Sequence, residues 1–472
     1  MVFSHLAFIS IFLPVVFLLY QILPGIRRKN SLLLTASLLF YAYGEPVYVF
    51  LMIASAFFHY WCARWIEKTP AWRGGILVVV IVVNLALLCI FKYAAFLVGL
   101  WNQGTGLHVP VPAVALPVGI SFFTFQAMSY VMDVYFGESA AQKRFSHILL
   151  YISLFPQLIA GPIVKYHDVE REMTKRRADA KDVAEGIRRF IVGLGKKTIL
   201  ANYMAVIADT LFAAPIERIN ILGAWLGAIA YLFQIYFDFS GYSDMAIGMG
   251  RMFGFHFKEN FRYPYAADSI REFWRRWHIS LSGWFREYLY IPLGGNRLGK
   301  RRTVINKFIV FACTGIWHGA NVTFLFWGLF HGFFLMLEEY LPFLRGKARG
   351  WKSVARHGYA LFVVLVGFVF FRADTMSDGL CWTYRLFAGW SFEAAQMRLF
   401  VSLLTPVHLT VLFVSVFACA PRETLGKIPC LKRLGERRSL RRLSFPLSLL
   451  LLILCMMNLA GGTYNPFIYF RF

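Results

Sequence analysis

The sequence places one histidine inside a long apolar stretch, in residues 316–321, which read Ile-Trp-His-Gly-Ala-Asn. An ionisable residue within hydrocarbon usually indicates a function, and an imidazole exchanges a proton near neutral pH. Gly319 removes side-chain bulk next to His318, so a substrate could approach closely. A catalytic base and a structural histidine bonded to a neighbouring carbonyl are equally compatible with this hexapeptide alone.

A second histidine lies in an arginine- and tryptophan-rich segment, residues 271–282. On one helix, His278 would share a stripe with arginines while the tryptophans form another, which predicts an amphipathic helix at the cytoplasmic interface. Its arginines could bind coenzyme phosphates; they are Arg271, Arg275 and Arg276. Anchoring to anionic lipid is the simpler explanation for most of these charges, but it does not require His278.

A third polar group interrupts the apolar residues 221–249. Gln234, Asp238 and Tyr242 are four residues apart and therefore share one helical face. Asp238 is costly in a membrane unless it is paired, and we expect an arginine or a histidine as its partner. A structural hydrogen bond is favoured over direct proton transfer.

The composition predicts an integral membrane protein. The chain has 472 residues, of which 58% are hydrophobic, and its mean hydropathy is +0.56. Its 49 Lys and Arg exceed 25 Asp and Glu, but they cluster between apolar runs, as the positive-inside rule predicts, and no nucleic-acid-binding motif accompanies them. Seven cysteines are scattered without a CxxC pair, so neither a metal site nor a disulfide framework is indicated.

The basic runs also orient the chain, because short loops rich in Lys and Arg stay in the cytoplasm. With residues 27–29 inside, both termini are predicted to be extracytoplasmic. The predicted crossings are residues 6–23, 31–63 (a pair broken at 44–46), 76–100, 116–136, 191–213, 221–249, 358–371, 401–420 and 445–460.

Two further apolar stretches are basic at both ends and contain helix-breaking residues. Residues 147–164 contain Pro156, Gly161 and Pro162, and residues 307–345 break at 318–321. Non-helical backbone survives at membrane depth only where protein or a wet cavity covers it. We therefore predict re-entrant segments beside a cavity, within a single membrane domain covering residues 1–472.

Six motifs together resemble the membrane-bound O-acyltransferase family, in particular its bacterial branch that contains alginate O-acetyltransferase. They are residues 117–122, 155–162, the segment around Asp238, 273–296, 317–319 and 467–472. The resemblance implies an all-α polytopic membrane protein with re-entrant helices around a central funnel, in the bacterial cytoplasmic (inner) membrane. It also implies that His318 is the catalytic histidine and that His278 is a second functional one.

The same resemblance implies the reaction. Acetyl-CoA would be the donor, with no permanently bound cofactor, and an envelope polysaccharide, with an alginate-like exopolysaccharide favoured, would be the acceptor. A separate extracytoplasmic acyltransferase would be a partner, as would membrane lipid. The residues themselves leave the oxyanion donor open between Trp317, Asn321 and backbone amides at the helix break. Tyr469 is a possible acyl carrier, by analogy with a partner peptide of teichoic acid D-alanylation whose C-terminus resembles residues 467–472.

Three alternatives stay open at this point. Peptidoglycan O-acetylation, or another acyl transfer, would use the same fold. A lipid-modifying acyltransferase would need a lateral opening. A non-catalytic transporter or flippase would also explain broken helices and an intramembrane aspartate, although the sequence lacks inverted repeats. The aromatic C-terminus could likewise be only an interfacial belt.

Overall fold

The computed structural model describes residues 3–159, 161–341, 344, 346, 350–426, 443–462, 464–466 and 468. These residues form helices and turns and contain no β-strand, which confirms the predicted all-α fold. Six of their helices are long and apolar enough to cross a membrane, or up to seven if one bent pair counts as a span. The chain is therefore a multi-pass membrane protein.

Packing divides the chain into two compact units, Met1–Phe190 with Ser243–Glu259, and Ile191–Tyr242 with Asn260–Phe472. A single domain over the whole chain stays a prediction. Up to residue 174 the helices are α1 (Phe8–Ile22), α2 (Ile26–Gly44), α3 (Tyr48–Lys68), α4 (Arg73–Thr105), α5 (Ile120–Phe136), α6 (Phe145–Ser153), α7 (Phe155–Leu158) and α8 (Tyr166–Thr174).

Helix α4 shows how the first unit meets lipid. Its mean hydropathy reaches 2.9, yet only 17% of its most apolar window is buried by protein. Such a surface is unfavourable in water and suits hydrocarbon. The sequence prediction of a crossing at residues 76–100 is confirmed.

The predicted broken stretch in residues 147–164 is also present, because α6 ends at Ser153 and α7 covers only four residues. Gly119, in the motif at residues 117–122, adopts φ +77°, and a Cβ there would lie 2.8 Å from the Leu158 carbonyl oxygen. Only glycine tolerates both conditions without strain. The motif at 117–122 and the one at 155–162 thus meet by close backbone contact.

The remaining helices are α9 (Ala180–Ala213), α10 (Ile221–Met252), α11 (Ile270–Arg276), α12 (Ile279–Phe285), α13 (Gly299–His318), α14 (Val322–Tyr340), α15 (Trp351–Arg372), α16 (Met376–Ala388), α17 (Ala394–Ser402), α18 (Pro406–Ala418), α19 (Arg422–Leu425) and α20 (Ser444–Ala460). The core of the second unit is rich in aromatic side chains from α10, α11, α14 and α15.

Two sequence predictions in this unit were wrong. Residues 401–420 are not one helix, because Thr405 caps a new helix by accepting the His408 N–H, and α17 and α18 meet at 67°. Residues 271–282 are not one helix either, since α11 ends at Arg276 and His278 is left-handed, with φ +42°. The second break moves His278 off the predicted arginine stripe.

Candidate active site

The predicted break at residues 318–321 is confirmed, and it places His318 at the last position of α13. Gly319 is extended, and the Asn321 side chain caps α14 by accepting the Thr323 N–H at 3.1 Å. Helices α13 and α14 pack closely because Gly315 and Gly328 each face backbone of the other helix. The histidine is therefore held at a helical hairpin whose two arms fix its position.

Aromatic rings surround the His318 imidazole. The ring centroids of Trp317 and Trp327 lie 5.0 Å away, and that of Phe371 lies 5.2 Å away, all in edge-on contact. The side chain is 6% exposed. A ring fixed by three aromatic neighbours has little freedom to rotate, which suits a group that must meet a reacting atom in one orientation.

His318 lines a narrow cavity that has room for little more than one water molecule. The described lining residues are Ile235, Phe239, Trp277, His318, Trp327, Phe368, Phe371 and Ile468. His318 is the one titratable side chain among them. The imidazole thus faces a mostly apolar space of small volume, where a proton acceptor competes with little water.

His278 lies one layer behind this cavity. Its ring packs edge-on against Phe239, which lines the cavity, at a centroid distance of 4.6 Å, and it also lies 6.1 Å from the Trp317 ring. Burial lowers the pKa of His278 to about 3, so the imidazole is neutral at physiological pH. The structure brings both predicted histidines to the same aromatic wall but puts only His318 on the cavity surface.

Asn260 holds His278 in its left-handed conformation. The Asn260 Oδ1 atom accepts the Ser280 N–H at 3.1 Å and lies 3.2 Å from His278 Nδ1. A left-handed non-glycine residue costs roughly 1–3 kcal/mol and persists only where its surroundings fix it. The Asn260 contacts offset this strain and fix the position of the His278 ring.

Asp238 is buried and paired with Lys197, whose Nζ lies 2.7 Å from its Oδ1. The expectation of an arginine or histidine partner was wrong. The pair forms because α9 and α10 touch at Gly241, where a Cβ would lie 2.7 Å from the Gly193 carbonyl oxygen. Lys197 also donates to Asn202 Oδ1 at 3.0 Å across a π-helical turn, whose i to i+5 spacing aligns the two residues.

The C-terminal segment reaches this ion pair. The backbone N–H of Ile468 donates to Asp238 Oδ2 at 2.8 Å, and Lys197 Nζ donates to the Pro466 carbonyl oxygen. Ile468 is buried and lines the His318 cavity. The described residues of the tail thus fold back to the ion pair, whereas Tyr469 lies outside the described residues.

Comparison with known proteins decides the family. Residues 71–372 match the profile of the membrane-bound O-acyltransferase family, and that region contains both His278 and His318. The chain is also 38% identical to the probable alginate O-acetylase AlgI of Pseudomonas putida over the full length of both chains. This chain belongs to the membrane-bound O-acyltransferase family.

More distant relatives extend the comparison to other polymers. The chain is 36% identical to the peptidoglycan O-acetyltransferase of Helicobacter pylori, over 80% of this chain and 78% of that one. It is 30% identical to the teichoic acid D-alanyltransferase of Bacillus subtilis, over 45% of this chain and 56% of that one. Membership identifies the chain as a membrane-bound O-acyltransferase.

Two of the three predicted phosphate-binding arginines of this acyltransferase are paired with glutamates. Arg271 binds Glu339 at 2.9 Å and Arg276 binds Glu272 at 2.5 Å, whereas Arg275 is exposed. The two tryptophans of residues 271–282 are buried rather than interfacial, which corrects the sequence prediction. They are buried because the helix ends at Arg276 and the chain changes direction there, so both tryptophans pack in the aromatic core of the unit.

The other predicted polar residues have structural surroundings. Gln234 and Tyr242 are buried on α10, as the spacing predicts, but neither lines the His318 cavity. The Asn321 side chain caps α14 and donates to the Asp374 carbonyl oxygen at 2.7 Å. Its amide is thus occupied within the described structure, which gives it a clear role in positioning the His318 hairpin.

Sequence reasoning overlooked several residues near this site: Lys197, Asn202, Asn260 and His331. Lys197 had a visible signal, because it is a charged residue well inside the predicted crossing at residues 191–213. His331, buried on α14, stacks on Phe273, and neither of its ring nitrogens has a hydrogen-bond partner among the described residues. It does not line the cavity.

Proposed function

We propose that this protein takes acetyl groups from acetyl-CoA in the cytoplasm and transfers them across the inner membrane for O-acetylation of an envelope polysaccharide. An alginate-like exopolysaccharide is the favoured acceptor, because several relatives of about 40% identity are named as probable alginate O-acetylases. Peptidoglycan is the second candidate, supported by the Helicobacter pylori relative.

The observation that carries the chemistry is the position of His318 on the cavity wall. Its imidazole acts as general base and takes the proton of the accepting hydroxyl. The hydroxyl oxygen then forms a bond to the acetyl carbonyl carbon, the thioester C–S bond breaks, and the proton passes to the departing thiolate. The products are an O-acetyl ester and free coenzyme A.

The size and lining of the cavity support a short acyl group. The described cavity has room for little more than one water molecule between aromatic and aliphatic side chains, so even an acetyl thioester would enter only if these side chains move. The acceptor at this point is therefore a single hydroxyl on a thin chain or side chain. Trp317 ring packing and the neutral His278 behind it keep the His318 ring in one orientation.

A relay would explain how a bulky polysaccharide could receive an acetyl group from so narrow a cavity. In this proposal Tyr469 receives the acetyl group, and a separate extracytoplasmic acyltransferase passes it to the polysaccharide. In this proposal both termini are extracytoplasmic, which gives such a partner access to the tail. The burial of the neighbouring Ile468 at the His318 cavity supports the relay.

The donor binds from the cytoplasmic face. Arg275, exposed on α11, is the strongest candidate for a coenzyme phosphate, while Arg271 and Arg276 would have to exchange a carboxylate for it. This order of preference follows from charge, because a guanidinium that already binds a carboxylate gains less free energy when it binds a phosphate instead.

Histidine variants test the proposal because α13 and α14 offer a matched pair. His318→Leu and His331→Leu each remove a buried imidazole from the same aromatic cluster, but only His318 lines the cavity. Loss of a general base lowers the rate by about 10²–10⁴-fold, so we expect that loss for His318→Leu alone.

The assay uses inverted membrane vesicles that present the cytoplasmic face outward. Labelled acetyl-CoA is added outside, and both released coenzyme A and polymer-bound label are measured. Insertion of each variant is checked by whether the protein stays folded in detergent. Normal transfer by a correctly inserted His318→Leu protein contradicts the assignment. Transport of label without coenzyme A release would instead identify a non-catalytic transporter.

A further inference from the structure

The C-terminal segment of this protein is held by an unusual set of buried polar contacts. Lys197 and Asp238 are 1% and 2% exposed, and both bind the main chain of the tail, at Pro466 and Ile468. Asn202, also buried, donates to the Asn465 side chain at 3.1 Å. These three side chains therefore form a receptor for the tail, in which Lys197 and Asp238 bind its main chain and Asn202 binds the Asn465 side chain.

The Lys197 ammonium has its third acceptor only with the tail in place. The Lys197 ammonium has three donors, and its three acceptors are Asp238, Asn202 and the Pro466 carbonyl. Asp238 uses its second oxygen for the Ile468 N–H. A buried charge with an unmet hydrogen bond is costly, so release of the tail is opposed by the pair itself.

The pair is a poor device for stability alone. A buried ion pair is often no more stabilising than apolar residues of the same volume, because desolvation offsets its attraction. Its particular contribution here is direction, since it holds the main chain at Pro466 and Ile468 so that Ile468 lines the His318 cavity.

We propose that Lys197, Asp238 and Asn202 are positioning residues that dock the C-terminal segment at the His318 cavity, and that acyl transfer requires this docking. The inference rests on the proposed function for its activity readout, but the docking itself can be measured separately. Recognition works through the backbone at residues 466 and 468, so it depends on the shape of the tail more than on its side chains there.

A tail variant tests the docking without touching the buried charges. Ile468→Pro removes the N–H that donates to Asp238, because proline has none, and Ile468→Val keeps it. A misplacement of about 1 Å costs about 10²-fold in rate, so we expect Ile468→Pro to lower kcat by about that factor while the KM for acetyl-CoA stays unchanged. Ile468→Val keeps the N–H and shows the effect of the side-chain change alone, so Ile468→Pro should be slower than Ile468→Val by about the same factor.

A second variant removes the receptor instead of the tail contact. Lys197→Met/Asp238→Leu replaces both charges with apolar groups, so it leaves no lone buried charge and the fold should persist. Thr198→Val, a buried change in the same turn with no described tail contact, is its control. We expect hydrogen exchange of the peptide covering residues 463–472 to become fast in the double variant and to stay slow in the wild type and the control.

The outcomes separate this inference from the proposed function. If the wild type transfers no acetyl group, the proposed function fails, while hydrogen exchange still decides whether the tail is docked through the pair. A tail that stays protected in the double variant overturns the docking. Full transfer with an unprotected tail, or wild-type kcat in Ile468→Pro, overturns the positioning role.

Discussion

The close approach of α9 and α10 at Gly241 gives a prediction whose size follows from the structure. A Cβ at Gly241 would lie 2.7 Å from the Gly193 carbonyl oxygen and 3.1 Å from the Lys197 nitrogen, both backbone atoms. Ordinary contacts begin near 3.4 Å, so the helices must separate by several tenths of an ångström. Overpacking of this kind costs about 1–3 kcal/mol.

Gly241→Ala should therefore weaken both the fold and the ion pair, because α9 carries Lys197 and α10 carries Asp238. Gly223→Ala is the control on the same helix, since its Cβ would meet nothing closer than 3.5 Å. Both changes share any gain in helix propensity, at most about 1 kcal/mol. The difference between the two variants thus isolates the contact at Gly241.

The measurement is the free energy of unfolding in mixed detergent micelles, together with the rate of acetyl transfer. We expect Gly241→Ala to be less stable than Gly223→Ala by about 1–3 kcal/mol and to transfer more slowly. Equal stability and equal rates in the two variants would show that the helices do not pack as closely as described, and the explanation of the Lys197 pair would be lost.

Two further predictions concern the second histidine and the tail. Asn260→Ala removes the acceptor that holds Ser280 and faces His278, so we expect the left-handed His278 to relax and the rate of acetyl transfer to fall. Asn260→Asp keeps an acceptor oxygen and should retain more activity. Equal transfer rates for the two variants would count against a role for the strain. Tyr469→Phe removes one hydroxyl and should abolish both the acetyl label on the protein and the transfer to polymer. The label on the protein is measured by mass spectrometry of the C-terminal peptide. Unchanged polymer acetylation would exclude the relay.

Local signals explain which parts of the fold could be predicted. The break after His318 was predictable because Gly319 and Asn321 are a helix terminator and a helix cap that act within a few residues. Thr405 followed by Pro406 carried the same kind of signal for the bend between α17 and α18, and the apolar length of residues 401–420 concealed it. Hydropathy alone measures length and does not detect such caps.

Long-range contacts explain the errors. The stripe in residues 271–282 has good helical spacing, but Asn260, eighteen positions before His278, fixes a conformation that no helix contains. The partner of Asp238 is 41 positions away, on a helix that approaches only because Gly241 permits it. Neither fact is contained in the spacing of the segment concerned.

The buried polar groups of this site differ in their hydrogen-bond and ionic partners, and this difference suggests that they have different roles. Asp238, Lys197 and Asn202 meet one another and the tail, so their charges are balanced and they provide rigidity. His278 is held in a strained conformation by Asn260, and burial keeps its imidazole neutral. His318 alone among the described histidines faces the cavity, with its ring fixed by aromatic neighbours, so a reacting hydroxyl brought there would meet a base that is already oriented.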